Sequence, residues 1–158
     1  MKTKRCWGLG CIGFFLISVA CDRHKVTEAF YATTQNQWNS DSVAVFSIAP
    51  PDLNQSYNLL VKLNHTNDYP FSNLWLFIET TSPSGLTVND TIECLMADKE
   101  GKWMGRQWGK HYYIHFPWRP AFKFAENGNY HISIQQGMRA EWLNGITEVG
   151  LRLEKNND

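Results

Sequence analysis

Cys21 has the most definite chemistry in the chain. It closes the run Ser18-Val19-Ala20-Cys21, where small residues lead into a thiol. A thiol in that setting can take a lipid through a thioether and become the first residue of the mature protein. The segment before it suits this role. Lys2, Lys4 and Arg5 are basic with no acid among them, and Cys6 to Ala20 carries no charge. A spanning helix needs ~20 apolar residues. The shorter run here reads as a cleavable signal peptide over residues 1–20, with lipidation at Cys21. Lipoprotein signals usually have Leu three residues before the cysteine, and here that residue is Ser18. The competing reading is ordinary cleavage near Ala20, leaving a soluble protein with a free N-terminal thiol.

Other reactive residue types do not assemble by spacing. His111 and His115 lie in a segment that reads as a strand, where four residues separate them by ~13 Å. Two ligands of one metal must be closer than that, so no metal site is expected. The acids Asp90, Glu93, Asp98, Glu100, Glu126, Glu141 and Glu148 are scattered, with no pair placed to face one cleft. There is no Gly-x-Ser-x-Gly elbow, no His-Glu-x-x-His and no phosphate-cradling glycine loop. The chain is therefore read as non-catalytic, with no cofactor. Cys6 and Cys11 leave with the signal, which leaves Cys94 without a partner for a disulfide in a lipidated chain.

The segment from Trp103 to Phe122 is rich in aromatic and basic residues. Trp103, Arg106, Trp108 and Trp118, joined by Arg139, form a candidate binding patch. Exposed rings could stack on carbohydrate, peptidoglycan included, or anchor a protein interface. The same rings could instead fill the core of a small sandwich. Two tripeptides, Asp41-Ser42-Val43 and Asp90-Thr91-Ile92, resemble a short acceptor motif for O-glycosylation in bacterial envelopes, at Ser42 and Thr91. Their acids could equally start strands from turns.

Positioning these residues is the task of one domain. Fifteen basic residues balance fifteen acids, and three of the bases depart with residues 1–20, so the mature net charge is −3. With no basic block, nucleic acid is an unsuitable partner. A chain of this length can bury about two-thirds of its unfolded surface.

The elements read as strands. Residues 21–41 are a polar tether that includes one edge strand at Val26–Tyr31, and residues 42–154 form the domain. Tyr57, Leu59, Val61 and Leu63 alternate with polar residues, as do Ile92, Cys94 and Met96. Tyr112, Ile114 and Phe116, then Tyr130, Ile132 and Ile134, and finally Val149, Leu151 and Leu153 repeat the pattern. Val43–Ile48 and Leu74–Ile78 are apolar on both faces, as strands covered on both sides would be. Turn formers separate the segments, among them Pro50-Pro51-Asp52, Ser82-Pro83-Ser84-Gly85 and Asp98-Lys99-Glu100-Gly101. Gly137–Leu143 has room for one or two helical turns. About seven to nine strands predict an all-β fold, a single antiparallel β-sandwich with jelly-roll or immunoglobulin-like connectivity.

Several strings resemble the GldH gliding-motility lipoproteins of Bacteroidota. One is Tyr69-Pro70-Phe71-Ser72-Asn73-Leu74-Trp75-Leu76-Phe77. A second is Asp90-Thr91-Ile92-Glu93 running through Leu95-Met96-Ala97-Asp98 to Gly101-Lys102-Trp103-Met104-Gly105. The last are Tyr130 through Arg139, and Gly145-Ile146 with Val149-Gly150-Leu151-Arg152. The resemblance implies a lipid-anchored envelope protein tied to the gliding apparatus and its linked type IX secretion machinery. Envelope proteins of that apparatus would be its partners. It supplies no catalytic or ligand residues. Asp22-Arg23 is not the acidic run that sends lipoproteins to the cell surface, so attachment to the outer membrane facing the periplasm is expected.

Overall fold

Alternation along each strand decides which of its sides is buried, and eleven strands follow from it. They are β1 (Lys25–Ala32), β2 (Gln37–Asn39), β3 (Ala44–Ile48), β4 (Tyr57–Thr66), β5 (Asn73–Thr81) and β6 (Thr87–Leu95). The rest are β7 (Arg106–Trp108), β8 (His111–Phe122), β9 (Tyr130–Gln136), β10 (Trp142–Asn144) and β11 (Ile146–Lys155). The structure is a computed structural model that describes residues 22–156. The signal and Cys21 lie outside the described residues.

Two sheets carry the eight longer strands and the short β7, in the orders β1-β11-β4-β8-β7 and β3-β9-β5-β6, and β2 pairs with β10 in a small third sheet. Every pairing is antiparallel. Among the longer strands the first pairs with the last (β1 with β11) and the second with the second-last (β3 with β9). β4 then pairs with β8, and β5 with β6. This nesting is one long hairpin rolled into two layers, the jelly roll, and it decides the connectivity that strand pattern left open.

The core lies between the layers. Leu59, Val61, Leu63, Leu151 and Leu153 come from one sheet, and Phe46, Leu76, Ile78, Ile132 and Ile134 from the other; all are buried. Rings close both ends. At one end Phe124 meets Tyr57 and Tyr130 edge-on, at 5.8 and 4.8 Å. At the other, His65 stacks on Tyr112 at 5.1 Å and meets Trp103 edge-on at 4.7 Å. Much of the aromatic content therefore fills the two mouths of the sandwich.

Three sequence readings differ from the structure. β3 and β5 were apolar on both faces, yet each has one open face: Val45, Trp75 and Phe77 are exposed. No further layer of strands covers that side among the described residues; the turn after β9 touches its margin, with Gly137 against the Phe77 ring. Residues 137–141 form no helix. Gln136 organises them instead, its Nε2 donating to Ala140 O at 2.8 Å and its Oε1 accepting from Met138 N at 2.8 Å. Residues 22–41 hold more than an edge strand, because Trp38 of β2 is fully buried and its Nε1 donates to Ser42 O at 2.8 Å.

Candidate functional site

The site is built by the β7–β8 hairpin. Arg106 lies opposite Tyr113 and Trp108 opposite His111, with Gly109-Lys110 as the turn. Gly105 has φ +85°, and a Cβ there would collide with the Tyr113 carbonyl oxygen and approach Ile114 Cγ1 at 2.7 Å. Only glycine allows this close approach, which sets β7 on the edge of the sheet. Arg106, Gln107, Trp108, Tyr113 and His115 then wall a cavity of about 740 Å³. Trp108 is 78 % exposed, the most exposed large apolar side chain among the described residues.

The electrostatics of this cavity are simple. Burial lowers the pKa of His115, and the charges of Lys62 and Arg152 lower it further. The imidazole is therefore neutral near pH 7. Lys62 is paired with Glu28, and Arg152 with Asp22, Glu28 and Glu154. Among the described residues no carboxylate lines the cavity, and Arg106 supplies the one full charge there. A cation beside an exposed indole and a phenol can receive an acidic or aromatic side chain.

The remaining candidates are dispersed. Trp103 is half-buried against His65, Tyr69 and Tyr112. Trp118 donates from Nε1 to Asp90 Oδ2 at 3.0 Å, and Arg119 pairs with the same oxygen at 2.6 Å. Arg139 is exposed after β9. The structure thus brings Arg106 and Trp108 together and leaves Trp103, Trp118 and Arg139 elsewhere. Ser42 is half-buried beside Trp38, whereas Thr91 is exposed on β6. Cys94 is buried, and burial pushes its thiol up to about 12, so it is protonated at neutral pH. His111 and His115 sit four apart on β8, and no group of three metal-binding side chains forms among the described residues.

Three residues take roles that sequence reading did not assign. Tyr113 and His115 reach the cavity because they alternate outward, opposite to the buried Ile114. Asp90 is not a solvated turn acid: it holds β6 to β8 across the sandwich. Its partners lie 28 and 29 residues away, which no local pattern reveals.

Residues 25–153, nearly the whole described fold, match the family model described as GldH lipoprotein. The chain belongs to the GldH lipoprotein family. It is 33 % identical over 146 residues to a protein of Christiangramia forsetii named gliding motility lipoprotein GldH homolog, covering 88 % of this chain and 89 % of that one. It is 34 % identical over 149 residues to gliding motility lipoprotein GldH of Flavobacterium johnsoniae, covering 90 % and 92 %. The resemblance carried by the short strings is therefore borne out. GldH membership takes in the β7–β8 hairpin and both sheets. Neither relative's name specifies a reaction.

Proposed function

We propose that this chain is a lipid-anchored, non-catalytic envelope protein that serves the gliding apparatus, and its linked secretion machinery, by docking another envelope protein. Cys21 is the anchor, in the outer membrane and facing the periplasm. The Arg106–Trp108 cavity is the docking face. The observation that carries the reading is Trp108, a large indole 78 % exposed beside the Arg106 guanidinium, which makes no ion pair among the described residues. Exposed tryptophan and arginine are the side chains that most often dominate protein interfaces. Several acyl chains on Cys21 would hold the domain firmly, at ~0.8 kcal/mol per buried methylene. Confinement to the membrane plane would then raise the effective concentration of the partner.

The test is cross-linking in cells followed by mass spectrometry, on the native chain and on Trp108→Ala and Cys21→Ala. The native chain should recover gliding or secretion components, and Trp108→Ala should lose them. Cys21→Ala should leave the membrane fraction. Unchanged recovery from Trp108→Ala would refute the docking face, and membrane retention of Cys21→Ala would refute the anchor.

A further inference from the structure

The outer face of β3-β9-β5-β6 is used neither by the core nor by the docking cavity. Strand register arranges its side chains in rows. Val45, Ser133, Glu79 and Asn89 stand side by side across the four strands. The next row holds Gln135, Phe77 and Thr91, and the next pairs Trp75 with Glu93. A groove of about 460 Å³ runs over the first two rows, within the size range of small-ligand sites.

Phe77 is the platform of this groove. It is 49 % exposed. Its ring lies against Gly137, where a Cβ would stand 3.0 Å from Cε2 and 3.1 Å from Cζ. A side chain at Gly137 would push the ring off the sheet. Trp75 follows on the same face of β5, about 6.6 Å away along the strand.

The groups around the platform are hydrogen-bonding and uncommitted. Glu79, Asn89, Thr91 and Ser133 make no side-chain hydrogen bond among the described residues. Gln135 donates from Nε2 to Ser40 O at 2.5 Å, which leaves its Oε1 free to accept. No lysine or arginine lines the groove. Its one outward carboxylate, Glu79, would repel a phosphate or sulfate, whereas Asp90 turns inward to Arg119 and Trp118. An apolar protein surface laid here would strand several polar groups without partners, at about 1–3 kcal/mol each. A polyhydroxylated ring satisfies both demands: its apolar face stacks on an aromatic ring, and its hydroxyls donate to a carboxylate and exchange bonds with an amide.

We propose that this face binds an uncharged oligosaccharide. One sugar ring stacks on Phe77, the adjacent Glu79 and Asn89 take its hydroxyls, and Trp75 lies in line for the next residue of the chain. This site is separate from the Arg106–Trp108 cavity and from the 103–122 rings, and it does not depend on the docking reading.

The experiment is an NMR titration of the full-length lipoprotein in detergent micelles. The probes are cellotetraose, maltotetraose and chitotetraose, with a heparin-derived tetrasaccharide as the charged control. At least one neutral probe should give saturable shifts in the side-chain amides of Asn89 and Gln135, and the control should give none. Phe77→Ala and Glu79→Gln should each weaken binding about tenfold with an unchanged thermal midpoint. If Phe77→Ala fails to fold, Glu79→Gln and Asn89→Ala, both at exposed positions, carry the comparison. The proposal is overturned by no saturable shift from any neutral probe, by equal binding of the charged control, by shifts centred on Trp108, or by native affinity in the variants.

Discussion

Trp103 and Trp108 are five residues apart in a segment rich in aromatic and basic residues, yet they should respond in opposite ways to truncation. The Trp103 ring meets three others at 4.7 to 6.4 Å and shields the buried His65. Truncating a fully buried Trp costs about 3–5 kcal/mol. Trp103 is half-buried, so Trp103→Ala should cost about 2–3 kcal/mol, a fall of roughly 8–10 °C in Tm for a domain of this size. Trp108 touches solvent over most of its surface, and Trp108→Ala should stay within about 0.5 kcal/mol of the native chain. Its effect should appear in partner recovery, where a hot-spot Trp is worth about 2 kcal/mol, or roughly thirtyfold in affinity. Urea unfolding of the purified lipoprotein in detergent measures the first quantity, and quantitative cross-linking measures the second. A native urea midpoint for Trp103→Ala would refute the ring-packing argument. A destabilised Trp108→Ala would show that the edge strand needs its indole for folding, and any loss of partner would then say nothing about docking.

Two further perturbations probe long-range contacts. Asp90→Asn keeps the shape but removes the charge that holds Arg119 and Trp118, and should cost about 1–2 kcal/mol; a double-mutant cycle with Arg119→Ala checks it, and additive effects would show that the pair contributes nothing. Burial lowers the pKa of His65, whose Nε2 has no hydrogen-bond partner among the described residues. The unfolded chain therefore takes up a proton near pH 6.5 that the folded chain resists. Stability should be flat above about pH 7.5 and fall as pH drops below 6.5, by up to ~1.4 kcal/mol per pH unit, until the folded His65 protonates. The carboxylates of Asp22 and Glu28 have folded pKa values below their ordinary range, so their contribution is lost only at lower pH. His115 is shifted in the same direction, so urea midpoints between pH 7.5 and 5.5 in a His115→Gln background isolate His65, and a flat profile there would contradict its exclusion from solvent.

How much of this was legible follows from the range of each interaction. Period-two alternation is local, so the inward residues Tyr57 to Leu63 and Val149 to Leu153 could be read directly, as could the Asp98-x-x-Gly101 turn. There Asp98 Oδ1 accepts from Glu100 N at 3.1 Å and Lys102 N at 2.8 Å. Pairing is not local. The nested hairpin joins β1 to β11, more than a hundred residues apart, and no periodicity encodes it. Exposure of an apolar residue is also invisible in a single strand. Phe77 and Leu76 look alike in sequence, and only the absence of a covering layer makes one a platform and the other core. The same holds for Trp108, which is exposed because its strand is the last in its sheet.

The position of the chain start ties the two faces to the proposed anchor. β1 begins at Lys25, and Arg152 pairs with Asp22, so the residue after Cys21 is held at the end of the sheet where Lys25 meets Glu154 and Tyr57 meets Lys155. Three residues between Cys21 and Lys25 reach at most ~10–14 Å. A domain anchored through Cys21 would ride close to the bilayer with little swing. The β7–β8 hairpin lies at the opposite end, where Thr66 faces His111 and His111 faces Trp108. The ten residues of β4 separate the two ends, a distance of about 33 Å at the rise of a strand. A partner bound at Trp108 would therefore be met well clear of the membrane surface. The Phe77 groove runs along the side of the sandwich and stays open while that end is engaged. Breaking the pin with Asp22→Asn, which leaves Arg152 paired with Glu28 and Glu154, would slacken the tether without touching either face. Cross-links formed from the Trp108 end should then spread to a wider set of neighbours while partner affinity stays the same. An unchanged cross-link pattern would mean that the pin does not orient the domain.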